Sequence, residues 1–191
     1  MRYVTLLTLA IASVGAYALP LNGGFEANSI NTGFQGYFGD VADDWSIYTG
    51  VFTNATPDVW DNNGVDGNAP GASTVMTGVT AFEGTNWAGL GSDQSPNFSE
   101  GIESARAQVS AGLYTFSLAM LYDNANSLGY VNPGVLQVYS RSSMGLTHLG
   151  TLAVNTGPMQ WELRSLNFTI AQDDTMSFII SNENIAQTYI G

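Results

Sequence analysis

Hydrophobic and polar residues alternate with a period of two along most of the chain after residue 18, which predicts β-strands. Clusters of Gly, Asn, Asp and Pro separate these runs and predict turns. Many short strands in one domain favour an all-β fold, a jelly-roll β-sandwich of two antiparallel sheets. The predicted strands are Asn22–Glu26, Trp45–Thr49, Pro57–Asp61, Trp87–Gly91, Gly101–Val109, Leu113–Tyr122, Val135–Arg141, Leu146–Val154, Trp161–Ile170, Met176–Ser181 and Thr188–Gly191.

The segment Leu113–Tyr122 has the clearest strand pattern, because its alternate side chains differ in size and polarity. One face is large and apolar, and we expect it to form the core between the two sheets. The residues on this face are Tyr114, Phe116, Leu118, Met120 and Tyr122.

The segment Val135–Arg141 divides in the same way. Leu136 and Val138 are predicted to face the core. Gln137, Tyr139 and Arg141 then project together from the opposite face of the sheet.

The N-terminus has the pattern of a secretory signal peptide over residues 1–18. Arg2 supplies the positive charge, Tyr3 to Val14 is an apolar run, and Ala16-Tyr17-Ala18 is a typical cleavage site. We therefore predict a secreted, extracellular protein with a single β-sandwich domain over residues 19–191. No other stretch is apolar enough to cross a bilayer, so we expect no membrane insertion after cleavage.

The composition restricts the partners and the chemistry. The net charge is −12 and there is no Lys, so the surface should repel nucleic acid. A polar surface with few charged groups is compatible with neutral glycans and with divalent cations. The chain has no Cys and a single His, which excludes the usual zinc, iron–sulfur and cysteine-nucleophile sites.

Several short motifs occur in a characteristic order: Asn22-Gly-Gly-Phe-Glu26, Asp44-Trp45, Pro57-Asp-Val-Trp60, Trp87-Ala-Gly-Leu90 and Ala111-Gly-Leu-Tyr-Thr-Phe116. In this order the sequence resembles secreted galactose-binding-like (carbohydrate-binding-module-like) jelly rolls, including those of exported proteins with PEP-type sorting tails. Asp44 stands where that family has Gly. The family's last strand continues past a Tyr-Ile-Gly, so we expect the last strand here to be cut short at Gly191.

The resemblance implies a structural Ca²⁺ beside the first strand. Its ligands would be the Glu26 carboxylate and the Gly23 carbonyl, since oxygen atoms are the ligands that Ca²⁺ prefers. Phe25, which points away from Glu26 in an extended strand, is expected to anchor the core.

The resemblance also implies a glycan or polysaccharide partner. Trp60 and Trp87 border a polar region, and exposed rings there could stack on the apolar face of a sugar. Tyr139 is a further candidate, with Gln137 and Arg141 as planar hydrogen-bond donors beside it. Trp45 and Trp161, by contrast, are predicted to be core residues.

The sequence contains neither a Gly-x-Ser-x-Gly motif nor a His-Glu-x-x-His motif. It therefore predicts a protein that is not an enzyme, a carbohydrate-binding-like module at the cell surface or in the extracellular matrix. The alternative is a structural or adhesive surface protein that associates with copies of itself, and a hydrolase is a weaker third interpretation.

Overall fold

The computed structural model describes residues 12–13, 25, 44–48, 57–61, 81–90, 100–121, 135–154 and 160–182. In these segments the regular secondary structure is entirely β. The strands are β1 Ala12–Ser13, β2 Trp45–Ile47, β3 Asp58–Asp61, β4 Asn86–Gly89, β5 Gly101–Ser104, β6 Ala107–Val109, β7 Gly112–Met120, β8 Val135–Ser142, β9 Gly145–Ala153, β10 Glu162–Ile170 and β11 Asp174–Ser181.

The strands form antiparallel sheets, and the predicted jelly-roll β-sandwich is confirmed. One sheet has the order β1-β7-β10 and the larger sheet has the order β2-β5-β11-β8-β9, with β6 also paired to β11. β3 and β4 pair with each other. The run predicted as one strand over 101–109 is interrupted at Ala105 and Arg106 and forms both β5 and β6.

The core lies between the three-stranded sheet and the larger sheet. As predicted, the large apolar face of β7 is buried there, with Tyr114, Phe116, Leu118 and Met120 each at most 5% exposed. Phe168 of β10 contacts Phe178 of β11 across the sandwich, with ring centroids 5.9 Å apart. Burial of apolar surface on both sheets is the main force that holds them together.

One edge of the sandwich is closed by an arginine. Arg164 of β10 donates from Nε to the carbonyl oxygen of Ala153 in β9, at 2.7 Å. The same guanidinium contacts the Glu162 carboxylate at 2.8 Å. The hydrogen bond to Ala153 joins the three-stranded sheet to the edge strand of the larger sheet, and the Glu162 contact, which lies within β10, orients the guanidinium.

The core also includes Phe25, whose side chain is 0% exposed and packs against Trp45 at a centroid distance of 5.8 Å. The predictions that Phe25 and Trp45 are core residues are confirmed. The backbone at Phe25 is not extended, however, since its φ is 56°. Apart from Phe25, the predicted strands at 22–26 and 188–191 lie outside the described residues.

The short strand β1 lies within the segment predicted as a signal peptide. Ala12 and Ser13 pair with Thr115 and Tyr114 of β7. Within the described part of the chain there is no helix of the length and hydropathy needed to cross a membrane.

Candidate functional site

The larger sheet has a second surface, which faces away from the core and which we call the outer face. Paired residues on antiparallel strands point to the same side of a sheet, so the strand register shows which residues lie on the outer face. The outer face includes Ser46, Tyr48, Gly101, Glu103, Gln137, Tyr139, Arg141, Leu146, His148, Thr151, Ser177, Ile179 and Ser181.

A charged group occupies one side of the outer face. The hydroxyl of Ser177 donates to Oε1 of Glu103 at 2.5 Å. The same oxygen lies 3.4 Å from Nε of Arg141. The Arg141 guanidinium carbon also lies 5.4 Å from the centre of the Tyr48 ring, a cation–π distance. These contacts fix the position of Glu103 and turn Arg141 toward the middle of the face.

A histidine cluster, made of Gln137, Tyr139, His148 and Thr151, occupies the other side. Nε2 of His148 lies 2.8 Å from Oε1 of Gln137. The Thr151 hydroxyl donates to the same oxygen at 2.7 Å. The Tyr139 and His148 rings lie side by side, with centroids 5.1 Å apart.

A β-bulge brings His148 to this cluster. Val138 pairs with Gly150 but Tyr139 pairs with His148, so Leu149 is an extra residue in β9. With regular alternation from Thr151, His148 would face the core. The extra residue reverses that parity, and both His148 and Thr151 therefore reach Gln137.

The outer face is shielded from solvent at its centre and open at its rim. Ser177 and Ile179 are 0% exposed, and Gln137 is only 6% exposed. Tyr139 and Arg141 are half-buried, and His148 is exposed. Hydrogen bonds near the buried centre of the face are strengthened because the local dielectric is low. The aromatic rings and charged groups at its rim can reach a ligand.

The spacing of the titratable groups limits the chemistry of the face. Glu103, Ile179, Tyr139 and His148 lie in one row across β5, β11, β8 and β9. Three strand spacings separate Glu103 from His148, roughly 14 Å. They are too far apart to act on the same atom as a direct pair. The arrangement suits a ligand that lies over Tyr139, between Arg141 and His148.

The structure brings together three of the five residues predicted to bind a ligand. Gln137, Tyr139 and Arg141 share the outer face, in agreement with the sequence pattern. Gln137 is nevertheless buried, and its carbonyl oxygen is occupied by Thr151 and His148. The expectation that Gln137 offers its amide directly to a sugar therefore needs correction, because the geometry makes it a residue that positions His148.

The two predicted tryptophans do not join this face. Trp87 is 2% exposed, so its ring is part of the packed interior and is not available as a surface stacking platform. This expectation was wrong because both faces of β4 are covered: Ala88 faces the core, and Trp87 on the opposite face is buried as well. Trp60 pairs with Trp87 in the β3–β4 hairpin, and its side chain is outside the described part of the structure.

Trp161 is half-buried and lies outside the main core, contrary to expectation. Its ring meets the exposed ring of Phe82 edge-on, with centroids 6.1 Å apart. The residue immediately precedes β10, where the two sheets no longer enclose it.

The predicted calcium ligands Glu26 and Gly23 lie outside the described residues. In the segments that are described, no three His, Cys, Asp or Glu side chains come together as a metal site would require. The Ca²⁺ site stays a prediction.

Sequence reasoning did not identify Glu103, His148 or Ser177 as site residues. The alternation of β5 gives a usable signal for Glu103, because it points away from Ile102, a core residue. His148 offered no such signal, since its position depends on the bulge at Leu149.

No family model matches the chain, and no curated protein sequence is significantly similar to it. Similarity is found among solved structures. A cyclase from Fischerella sp. TAU superimposes with a TM-score of 0.57 and 14% sequence identity, covering 91% of this chain and 88% of the cyclase chain.

Two complexes from the same organism are also similar. The cyclase bound to 4-(1H-indol-3-yl)butan-2-one has a TM-score of 0.54 and 15% identity, covering 87% of this chain and 88% of the other. The Stig cyclase Fisc bound to (3Z)-3-(1-methyl-2-pyrrolidinylidene)-3H-indole has a TM-score of 0.53 and 14% identity, covering 94% and 88%. At this identity the likeness establishes the shared β-sandwich fold.

These neighbours contradict the expectation that the protein is not an enzyme. That expectation depended on the absence of two hydrolase motifs. A cyclase built on the same fold shows that this architecture supports catalysis of another kind.

Proposed function

We propose that the protein binds a small ring-containing organic molecule on the outer face and carries out acid–base chemistry on it. The observation that carries this proposal is the placement of the Tyr139 ring between Arg141 and His148 on one sheet surface. The ring offers an apolar contact, while the guanidinium and the imidazole offer polar groups on either side of it.

The polar side chains of the outer face use only some of their atoms in contacts within the protein. Arg141 uses Nε toward Glu103, and in the described residues its terminal nitrogens have no hydrogen-bond partner. His148 uses Nε2 toward Gln137, and Nδ1 has no partner among the same residues. Both side chains therefore keep a functional group available to a ligand.

The ligand class follows from the same chemistry. A flat ring would lie against Tyr139, and a carbonyl or other acceptor would receive a hydrogen bond from Arg141. The indole ketone bound by a structural neighbour combines these two features. This correspondence supports a compound of that class as the first ligand to test.

A glycan is the second candidate, because Tyr139 and Arg141 share one face as the sequence pattern predicted. A sugar would place its apolar face on Tyr139 and its hydroxyl groups near Arg141. The predicted signal peptide would bring either ligand site to the cell exterior.

Isothermal titration of the purified chain with 4-(1H-indol-3-yl)butan-2-one, and in parallel with soluble glycans, tests the proposal. We expect the indole ketone to bind and the Tyr139→Ala and Arg141→Ala variants to lose at least about tenfold in affinity. Leu113→Ala, which changes a 58% exposed residue of the other sheet, is the control and should bind normally.

Exchange of the ketone's α-protons for deuterium, measured in D₂O by mass spectrometry, tests the acid–base activity. Enzyme-dependent deuterium incorporation is expected. Binding of glycans alone would favour the second candidate. Failure of both ligand classes to bind would overturn the assignment of the outer face.

A further inference from the structure

We infer that His148 is the proton acceptor of the outer face, that it acts through Nδ1, and that Gln137 and Thr151 hold it in the required tautomer. The identity of the ligand in this inference rests on the proposed function. The tautomer of His148 rests on the structure alone. The ligand it would take is a neutral carbonyl compound with an α C–H group directed at Nδ1.

The hydrogen-bond geometry around Gln137 determines the tautomer. Its carbonyl oxygen accepts from the Thr151 hydroxyl at 2.7 Å and lies 2.8 Å from Nε2 of His148. A carbonyl oxygen has two lone pairs and cannot donate, so Nε2 must carry the proton in the second contact. In a neutral imidazole the other nitrogen, Nδ1, is then an acceptor.

The burial of Gln137 makes this arrangement specific. The side chain is 6% exposed, so water cannot easily replace the imidazole as a partner for its carbonyl oxygen. His148 itself is exposed, which leaves Nδ1 accessible. The bulge at Leu149 is the backbone feature that allows one buried amide to contact two residues of β9 on the same side.

The proton transfer can be written without any additional reactant. The α C–H bond of the ligand breaks, its electron pair stays on the ligand as an enolate, and the proton bonds to Nδ1. The imidazole becomes a cation with both nitrogens protonated, while the bond from Nε2 to Gln137 is retained.

The tautomer can be measured on the ligand-free full chain, because His148 is its only histidine. We would record long-range proton–nitrogen correlations of ¹⁵N-histidine-labelled protein at about pH 8.5, above the range in which an ordinary imidazole titrates. A single tautomer with protonated Nε2 and a bare Nδ1 is expected, together with an Nε2–H signal protected from exchange. A protonated Nδ1, or a mixture of tautomers, would overturn the inference.

Two substitutions separate positioning from simple packing. Gln137→Leu removes the acceptor and should abolish the protected Nε2–H signal, whereas Gln137→Glu keeps an acceptor oxygen and should retain it. Gln108→Leu is the matched control, because Gln108 also accepts from a threonine hydroxyl, that of Thr175, but lies on β6, which pairs with β11 and not with β8 or β9. If Gln137→Leu fails to fold, the Gln137→Glu spectrum still decides, since loss of the signal there would contradict the assignment.

The experiment that tests the proton transfer uses a ligand that binds the unmodified protein. In His148→Asn the side-chain oxygen stands in for Nδ1 as an acceptor but cannot take a proton. We expect the affinity of this variant to stay within about threefold of normal, which is less free energy than one hydrogen bond contributes. The rate of deuterium exchange should fall at least about a hundredfold. Retained exchange would overturn the role of His148, even with the tautomer confirmed. Because the tautomer is measured without ligand, it does not depend on whether the ligand proposal holds.

Discussion

Leu166 of β10 lies over Gly150 of β9, and its Cδ1 is 2.6 Å from the position that a Cβ on residue 150 would take. No side chain larger than hydrogen fits there unless Leu166 moves. This contact, together with the Arg164–Ala153 hydrogen bond, brings the edges of the two sheets together. It also lies beside the bulge that places His148 on the outer face.

Substitution of Gly150 by Ala should therefore destabilise the fold by about 1–3 kcal/mol, the usual cost of overpacking. The clash is with one flexible side chain, so Leu166→Ala should relieve that part of the cost, while the part set by the Gly150 φ of 158° should remain. A double-mutant cycle measured by urea unfolding checks this: Gly150→Ala should cost less in the Leu166→Ala background. An equal loss of stability from Gly150→Ala in both backgrounds would show that the Leu166 contact does not restrict the residue at position 150.

Arg164 should stabilise the protein more than its exposed counterpart Arg106. Its guanidinium donates to the Ala153 carbonyl at 2.7 Å, and a hydrogen bond from a charged donor contributes about 1.5–3 kcal/mol. Because the side chain is 29% exposed, we expect the lower end of that range for Arg164→Gln in urea unfolding. The same substitution at Arg106, which makes no hydrogen bond or ion pair with its side chain in the described residues, should be neutral. A large effect at both positions would point to net charge instead.

Asp44 occupies a backbone conformation that favours glycine, with φ at 69°. We expect Asp44→Gly to match or slightly exceed the normal melting temperature, since relief of the strained φ offsets the added freedom of the unfolded chain. Asp44→Val should be less stable by about 1–2 kcal/mol, because a β-branched residue tolerates this conformation poorly. Equal destabilisation by both variants would contradict a backbone cause.

Trp87→Ala should unfold the protein instead of selectively weakening ligand binding. The side chain is 2% exposed, and removal of a buried Trp usually costs about 3–5 kcal/mol. Trp87→Phe should retain the fold with a smaller loss. Circular dichroism during thermal unfolding distinguishes the outcomes, and a fully stable Trp87→Ala variant would show that the ring is not part of the packed interior.

The strand pattern was predictable because buried and exposed side chains alternate between neighbouring positions of a strand. The alternation along β7 and β8 identified both their core faces and the shared outer position of Gln137, Tyr139 and Arg141. Burial of Trp87 was not predictable, because the sequence of a four-residue strand does not reveal that both of its faces are covered. The position of His148 depends on one extra residue, Leu149, whose insertion leaves no mark in the alternation of β9.

The central claim is that the outer face binds the ligand, and the single imidazole is its natural reporter. The most direct measurement is a titration of the intact chain with 4-(1H-indol-3-yl)butan-2-one, following the ring-proton resonances of His148. We predict a saturable shift of these resonances that Tyr139→Ala abolishes and Leu113→Ala leaves unchanged. Resonances that stay fixed while calorimetry records binding would contradict the account, because the ligand would then occupy another part of the molecule.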